Sequence, residues 1–247
     1  MNKKSIKKYY ISKKTKILDN FDKQINTFRK VLLEQLGAPK TEEILNEIKV
    51  EYKNLIPEII HIESNNSFIL REHKDISIAL AFAKVMKKCK YSKEEIAAFI
   101  YEIQKEVFNS TTNGKTKFIQ ILFNMLHIFP FNKIYKIIVK KYEKRTQKGD
   151  KALNIQIHYV EGDRENFDYG VDILSCPICD IWRKHDVIDI LPYVCLSDFF
   201  KSLMSNSGLI RTMTLSEGRE KCDNRFKRGR KPQNKQKTQF ITRKSIL

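Results

Sequence analysis

No stretch of this 247-residue chain comes close to the ~18 consecutive apolar residues of a membrane-spanning helix, so no membrane partner is expected. The basic start is not followed by an apolar run of about 7–15 residues, so a secretory signal is not expected either. A second C-x-x-C pair and any H-x-x-x-H run are missing, which leaves a structural zinc site without half its ligands. Acid is absent from both ends. Residues 1–16 hold seven lysines and residues 227–247 hold eight Lys or Arg, with no Asp or Glu in either. These ends supply fifteen of the eighteen net positive charges, and the 210 residues between them are nearly balanced. A nucleic-acid partner is therefore expected only through the basic tails, and solvated tails are the simpler reading. Five cysteines, an odd count without a secretion signal, point to reduced thiols in the cytoplasm.

At 41% apolar and 31% charged residues, the chain is globular, and its length allows one large domain or two small ones. From Ile17 to about Lys148 the signals are helical. Ile17, Phe21, Ile25 and Phe28 recur at helical spacing, and Val31, Leu32 and Leu36 continue the stripe to a stop at Gly37 and Pro39. Ser92 and Glu95 form a capping box ahead of Ile96, Ile100, Ile103 and Val107. Asn113-Gly114 marks a turn, residues 116–128 read as a helix broken at Pro130, and a further helix covers 134–148. No repeat of fixed period occurs in this half.

The pattern changes at Gly149-Asp150. Leu153, Ile155, Ile157 and Tyr159 alternate with polar neighbours as a half-buried strand, and Phe167–Leu174 is its antiparallel partner. Pro177 opens a helix to about Lys184, and Val187–Leu203 is helical with an interruption near Pro192. Ile210–Leu215 and Cys222–Arg228 form a final hairpin across Ser216-Glu217-Gly218. The predicted class is α+β: an N-terminal helical region, then an antiparallel sheet of about four strands with two inserted short helices. The expected divisions are 1–16 basic tail, 17–148 helical region, 149–229 α+β region and 230–247 disordered basic tail.

Three cysteines stand at the joints of these elements. Cys176, just before Pro177, sits at a helix start, where free N–H groups and the helix dipole favour a thiolate. Cys179 makes this a C-x-x-C, but a redox dithiol wants a βαβ setting that is absent, and buried small thiols account for the pair equally well. Cys195 and Asp198 share one helix side, where a carboxylate could move a proton or position water. Arg211 begins a strand beside Thr212 and Thr214, and its fork suits a substrate carboxylate. Cys222 and Asn224 point one way on the partner strand, Asp223 and Arg225 the other. An Asp223–Arg225 or Asp223–Arg211 pair could equally be structural. Tyr169 flanks the same region, and His158 reads as an exposed strand residue.

The order Gly-Val-Asp strand, Cys176-Pro177, Cys195-x-x-Asp198, Arg211-Thr212-Met213-Thr214-Leu215, Glu217-Gly218 and Cys222-Asp223-Asn224-Arg225-Phe226 resembles the L-2-amino-thiazoline-4-carboxylic acid hydrolase family. The likeness covers about residues 150–229 and is looser in the preceding helices. Asn224 replaces the family's usual aromatic residue, and Cys179 is not typical. The resemblance implies hydrolysis of a cyclic C–N/C–S substrate such as 2-aminothiazoline-4-carboxylate, with a small-molecule substrate and no cofactor or metal. It implies catalytic roles for Cys176, Cys195, Asp198, Cys222 and Asp223, with Arg211, Thr212, Thr214, Arg225 and Tyr169 around the substrate. A non-catalytic small-molecule or metal-binding sensor on the same fold is the first alternative, and a nucleic-acid-associated protein acting through its tails is the second. The oligomeric state is left open. Removing residues 1–14 and 231–247 is expected to leave folding intact. Binding to DNA or RNA should fall steeply from low to moderate salt and vanish with the tails, whereas binding kept by the truncated body would contradict the charge argument.

Overall fold

The computed structural model describes residues 9–59, 67–111, 131–147 and 155–242, together with 244 and 246. The turn at Asn113-Gly114, the helix expected over 116–128, the break at Pro130 and the switch at Gly149-Asp150 lie outside the described residues. The chain forms two compact units. One comprises residues Met1–Ile103, Ile181–Ile190 and Ile241–Leu247, and the other Gln104–Asp180 and Leu191–Phe240.

The first unit is helical. Helix α1 (Lys14–Leu36) buries Ile17, Phe21, Ile25, Val31 and Leu32, the stripe that the spacing predicts. Gly37 ends it at φ +74, a left-handed conformation that costs glycine little, and α2 (Ala38–Leu55) starts at once with Pro39 in its first turn. Phe21 stacks on Tyr52 of α2 with ring centres 4.9 Å apart. Helix α3 (Ser67–Lys88) follows, and α4 (Lys93–Thr111) opens on the expected capping box: Glu95 N–H donates to Ser92 Oγ at 3.2 Å and Ser92 N–H to Glu95 Oε2 at 2.7 Å. The segment Ile181–Ile190 of this unit carries Trp182, whose side chain is wholly buried.

The second unit is built on a five-stranded sheet. Helix α5 (Phe131–Gln147) precedes β1 (Gln156–Glu161) and β2 (Tyr169–Ser175). Helix α6 (Pro177–Lys184), a short turn of helix α7 (Leu191–Val194) and α8 (Ser197–Ser205) are inserted before β3 (Leu209–Arg211), β4 (Cys222–Phe226) and β5 (Gln233–Asn234). The order across the sheet is β1-β2-β4-β3-β5, antiparallel except for the parallel pairing of β3 with β5. This is the expected α+β class with one more strand. One face packs Tyr159, Tyr169 and Val139 of α5 with Ile157, Val171 and Phe226, and Tyr169 stacks on Phe226 at 5.0 Å. Alternation in β1 makes this packing possible, because Ile157 and Tyr159 fall on one side and Gln156 and His158 on the other.

Helix α8 is tied to β3 by polar contacts of small residues. Asn206 ends the helix in the left-handed region at φ +48, and Ser202 Oγ accepts from Leu209 N–H at 2.8 Å and from Ser207 Oγ at 3.0 Å. Between them Gly208, at φ +62, lies so near the Lys227 carbonyl that a Cβ there would stand 1.9 Å from its oxygen.

Two expectations are corrected. The strand expected over Ile210–Leu215 ends at Arg211. Beyond it, the Asp223 carboxylate accepts from the N–H groups of Thr212 and Met213, each at 2.8 Å, and from the Thr212 hydroxyl, which pulls the chain off the ladder into a 3₁₀ turn over Leu215–Glu217. Residues beyond 230, expected to be a disordered tail, include β5 and the 3% exposed Gln236. They dock through polar groups rather than apolar ones: Lys235 N–H donates to the Arg211 carbonyl at 2.9 Å and Thr238 N–H to Glu217 Oε1 at 2.5 Å. Phe240 supplies apolar contact, edge-on to Phe200 at 5.5 Å and to Phe199 at 6.3 Å. Truncation after Arg230 is therefore expected to lower stability by about 2 kcal/mol or more, since it strands the polar partners of this segment. An unchanged thermal midpoint in calorimetry would return the segment to the status of a solvated tail.

Candidate active site

Cys176 stands between the end of β2 and Pro177, the first residue of α6. Proline fits there because the first helical N–H has no intrahelical partner to lose. The Cys176 carbonyl accepts from Cys179 N–H at 3.0 Å, closing the first turn. Three donors converge on the half-buried Cys176 sulfur: the Cys179 thiol and the N–H groups of Cys179 and Ile178. The Cys179 thiol is the strongest of these influences. It outweighs partial burial and, with the two N–H groups, lowers the Cys176 thiol to about 7. The proton of the pair stays on Cys179, which is 6% exposed and pushed far up by its bond to Cys176 and by burial. The result is one thiolate with a neighbouring thiol as donor.

Cys195 follows α7, and its N–H donates to Leu191 O at 3.0 Å. It precedes α8 rather than lying inside it, and Asp198 sits in the first turn of α8. Loss of hydration pushes the Cys195 thiol up to about 12, although Arg211 acts in the other direction. Cys195 is therefore a neutral thiol at neutral pH. Cys222, at the start of β4, shares a hydrogen bond with the Thr214 hydroxyl at 3.2 Å and accepts from Leu215 N–H at 3.4 Å, and burial raises its thiol. Cys179 responds to the charge of Cys176, Cys195 and Cys222, Cys195 to that of Cys176 and Cys222, and Cys222 to that of Cys176, which places four of the five thiols in one electrostatic neighbourhood. All five cysteines are free.

Arg211 closes this neighbourhood. Its side chain is 3% exposed, with Nη1 donating to Asp198 Oδ2 at 2.9 Å, Nη2 to the Cys195 carbonyl at 2.7 Å and Nε to Gln236 Oε1. Its plane lies 5.0 Å from the Phe199 ring centre. Burial disfavours the Asp198 charge, but Lys201, 3.5 Å away, and Arg211 overcome this and hold the carboxyl below the ordinary range. Asp198 is still 41% exposed, so it is a carboxylate that water can reach.

Apart from Thr214, which touches Cys222, the remaining sequence candidates lie elsewhere. In the β2–β4 register Cys222 pairs with Ile173 and Asp223 with Asp172, so Asp223 occupies the sheet face opposite Cys222. There Asp223 holds Thr212 and Met213 in place. Arg225, on the face of Asp223, donates to Asp172 at 2.7 Å, Lys221 joins it at 2.8 Å, and the guanidinium lies 5.5 Å from the Phe167 ring centre. Tyr169 packs in the core beside Phe226, and Thr214 is fully buried between Cys222 and Ser216. Thus Cys176, Cys195, Cys222, Asp198 and Arg211 come together, whereas Asp223, Thr212 and Arg225 serve the other face. Gln236 was not singled out from sequence, because a lone glutamine in a stretch without apolar periodicity carries no local signal. Among the described residues no group of three or more His, Cys, Asp or Glu side chains is placed to hold a metal ion.

The fold and site define an α+β protein with a thiolate at a helix start. A family model, L-2-amino-thiazoline-4-carboxylic acid hydrolase, matches residues 71–226, well over half of the chain, and the chain belongs to this family. The match begins within α3, further toward the N-terminus than the 150–229 likeness read from motifs, and ends with β4. No curated protein and no solved structure matches the chain.

Iodoacetamide followed by peptide mapping is expected to label Cys176 before the other four cysteines, with a rate that climbs through about pH 7. Cys179→Ala removes a donor to the charged sulfur, so the midpoint should move upward. First labelling at Cys195, or a midpoint indifferent to Cys179, would contradict this account of the thiolate.

Proposed function

We propose that this chain hydrolyses a small cyclic amidine bearing a carboxylate, with 2-aminothiazoline-4-carboxylate as the type substrate and Cys176 as nucleophile. The observation that carries this reading is the convergence of three donors on the Cys176 sulfur, which makes it the most nucleophilic thiol of the cluster at neutral pH. The family match supplies the substrate class.

The chemistry needs attack on the ring carbon that bears the amino group, between ring nitrogen and ring sulfur. The Cys176 thiolate adds there. Collapse of the adduct breaks the bond from that carbon to the ring sulfur, whose electrons leave as the substrate's own thiolate and take up a proton. The enzyme is left carrying an S-linked isothiourea. Water then adds to the same carbon, and the Cys176 thiolate departs with its electron pair. The product is a urea, N-carbamoyl cysteine, and the balance is one substrate and one water. No atom changes its oxidation level.

Asp198 is suited to take the proton from that water, being charged at neutral pH and open to solvent. Arg211 orients it from behind, so Arg211 is a positioning residue in this scheme. The Cys179 thiol returns its hydrogen bond to Cys176 as the thiolate leaves. Cys195 and Cys222, both neutral, line the neighbourhood without sharing the attack.

Cys176→Ala is expected to lower turnover of 2-aminothiazoline-4-carboxylate by at least about a thousandfold with the fold retained, and Asp198→Asn by about a hundredfold with little change in KM. Wild-type-like turnover by Cys176→Ala would remove the nucleophile. A wild-type protein that binds this substrate without turning it over would be a ligand-binding member of the fold.

A further inference from the structure

Gln236 is 3% exposed, and its carboxamide is anchored at one end only. Oε1 accepts from Arg211 Nε, whereas Nε2 has no hydrogen-bond partner. The guanidinium settles the orientation of the amide, because Nε–H can only donate and the atom facing it must be the oxygen. The other end is therefore a two-hydrogen donor, withdrawn from water and bonded to nothing. Buried donors of this kind are rare and call for an explanation.

The backbone leaves the side chain little freedom to escape. Gln236 N–H donates to Asn234 Oδ1 at 3.1 Å, its carbonyl accepts from Gln239 Nε2 at 2.6 Å, and Lys235 N–H holds the Arg211 carbonyl at 2.9 Å. Asn234 Nδ2 in turn donates to Thr238 O at 2.9 Å. A segment this closely bonded presents its donor in a fixed place.

We propose that Gln236 is a substrate-contacting, specificity-determining residue whose Nε2 donates to a carboxylate oxygen of the bound molecule, next to Arg211. The carboxylate satisfies the orphaned donor. The family match stops at Phe226, ten residues short of Gln236, so this contact is supplied from outside the matched stretch. The identity of the substrate rests on the hydrolase reading above, while the carboxylate contact is testable without turnover.

The test uses full-length protein carrying Cys176→Ser, titrated by calorimetry with 2-aminothiazoline-4-carboxylate and with 2-aminothiazoline lacking the carboxylate. Gln236→Glu keeps an acceptor for Arg211 Nε but replaces the free donor with an oxygen. A purely structural glutamine would therefore tolerate it, and unchanged thermal unfolding confirms that the anchor survives. Binding of the carboxylate probe is expected to weaken about tenfold or more in Gln236→Glu, with the uncharged probe unaffected. Gln236→Met, which removes donor and acceptor together, should lose the carboxylate preference too. Equal binding of the carboxylate by the Gln236 and Gln236→Glu proteins would overturn the assignment, as would failure of the Gln236 protein to bind either probe. Carboxylate binding that depends on Gln236, in a protein whose Cys176 form shows no turnover, would defeat the hydrolase reading and uphold this one.

Discussion

The buried guanidinium of Arg211 is a point at which several parts of the site-bearing unit meet. It lies at the end of β3, yet it bonds the loop before α8 through the Cys195 carbonyl, α8 itself through Asp198, and the segment after β5 through Gln236. A guanidinium this far from water is tolerable only when paired, so these partners must assemble together. Its charge also reaches the thiols, acting against the burial that raises Cys195 and Cys222. Removing Arg211 would undo position and electrostatics at once, which is why it belongs with the supporting structure rather than with the attacking groups.

The sheet separates two kinds of polar chemistry. The face of Cys222 carries thiols, the Asp198 carboxylate, Arg211 and Asn224. On the face of Asp223, two aspartates are fully engaged in holding backbone and cations, Asp223 with Thr212 and Met213, and Asp172 with Lys221 and Arg225. Adjacent residues of one strand thus take opposite roles, a consequence of the two-residue period of the strand. The thiols themselves are graded by local surroundings: Cys176 gains three donors at a helix start, whereas Cys195 and Cys222 lose water without comparable return. Reactivity follows from that grading.

Much of the fold was legible because its signals are local. The Ile17–Phe21–Ile25 stripe, the Ser92–Glu95 box, the alternation of Ile157 and Tyr159, and the Cys176-Pro177 helix start are each decided within a few residues. What the sequence hid depends on distant partners. Residues 212–215 have strand-like composition, but a carboxylate eleven positions away from Thr212 captures the N–H groups of Thr212 and Met213. Gln233 and Asn234 have no strand signature and pair only because the edge of β3 is there to receive them. Gln236 matters through Arg211, twenty-five positions earlier, and nothing near it in the chain indicates this. Of the candidate site, the cysteines were readable from their placement at element ends, while the partners that set their charge were not.

The central claim is that the Cys176 sulfur forms a covalent bond to substrate carbon. Rapid acid quench of the protein during turnover of 2-aminothiazoline-4-carboxylate labelled at the amino-bearing carbon, followed by peptide mass spectrometry, tests it directly. The account predicts label on the peptide containing Cys176, absent in Cys176→Ala and accumulating when Asp198 is replaced by Asn. Label at Cys195 or Cys222, or full turnover with no label on the protein at any time, would contradict it.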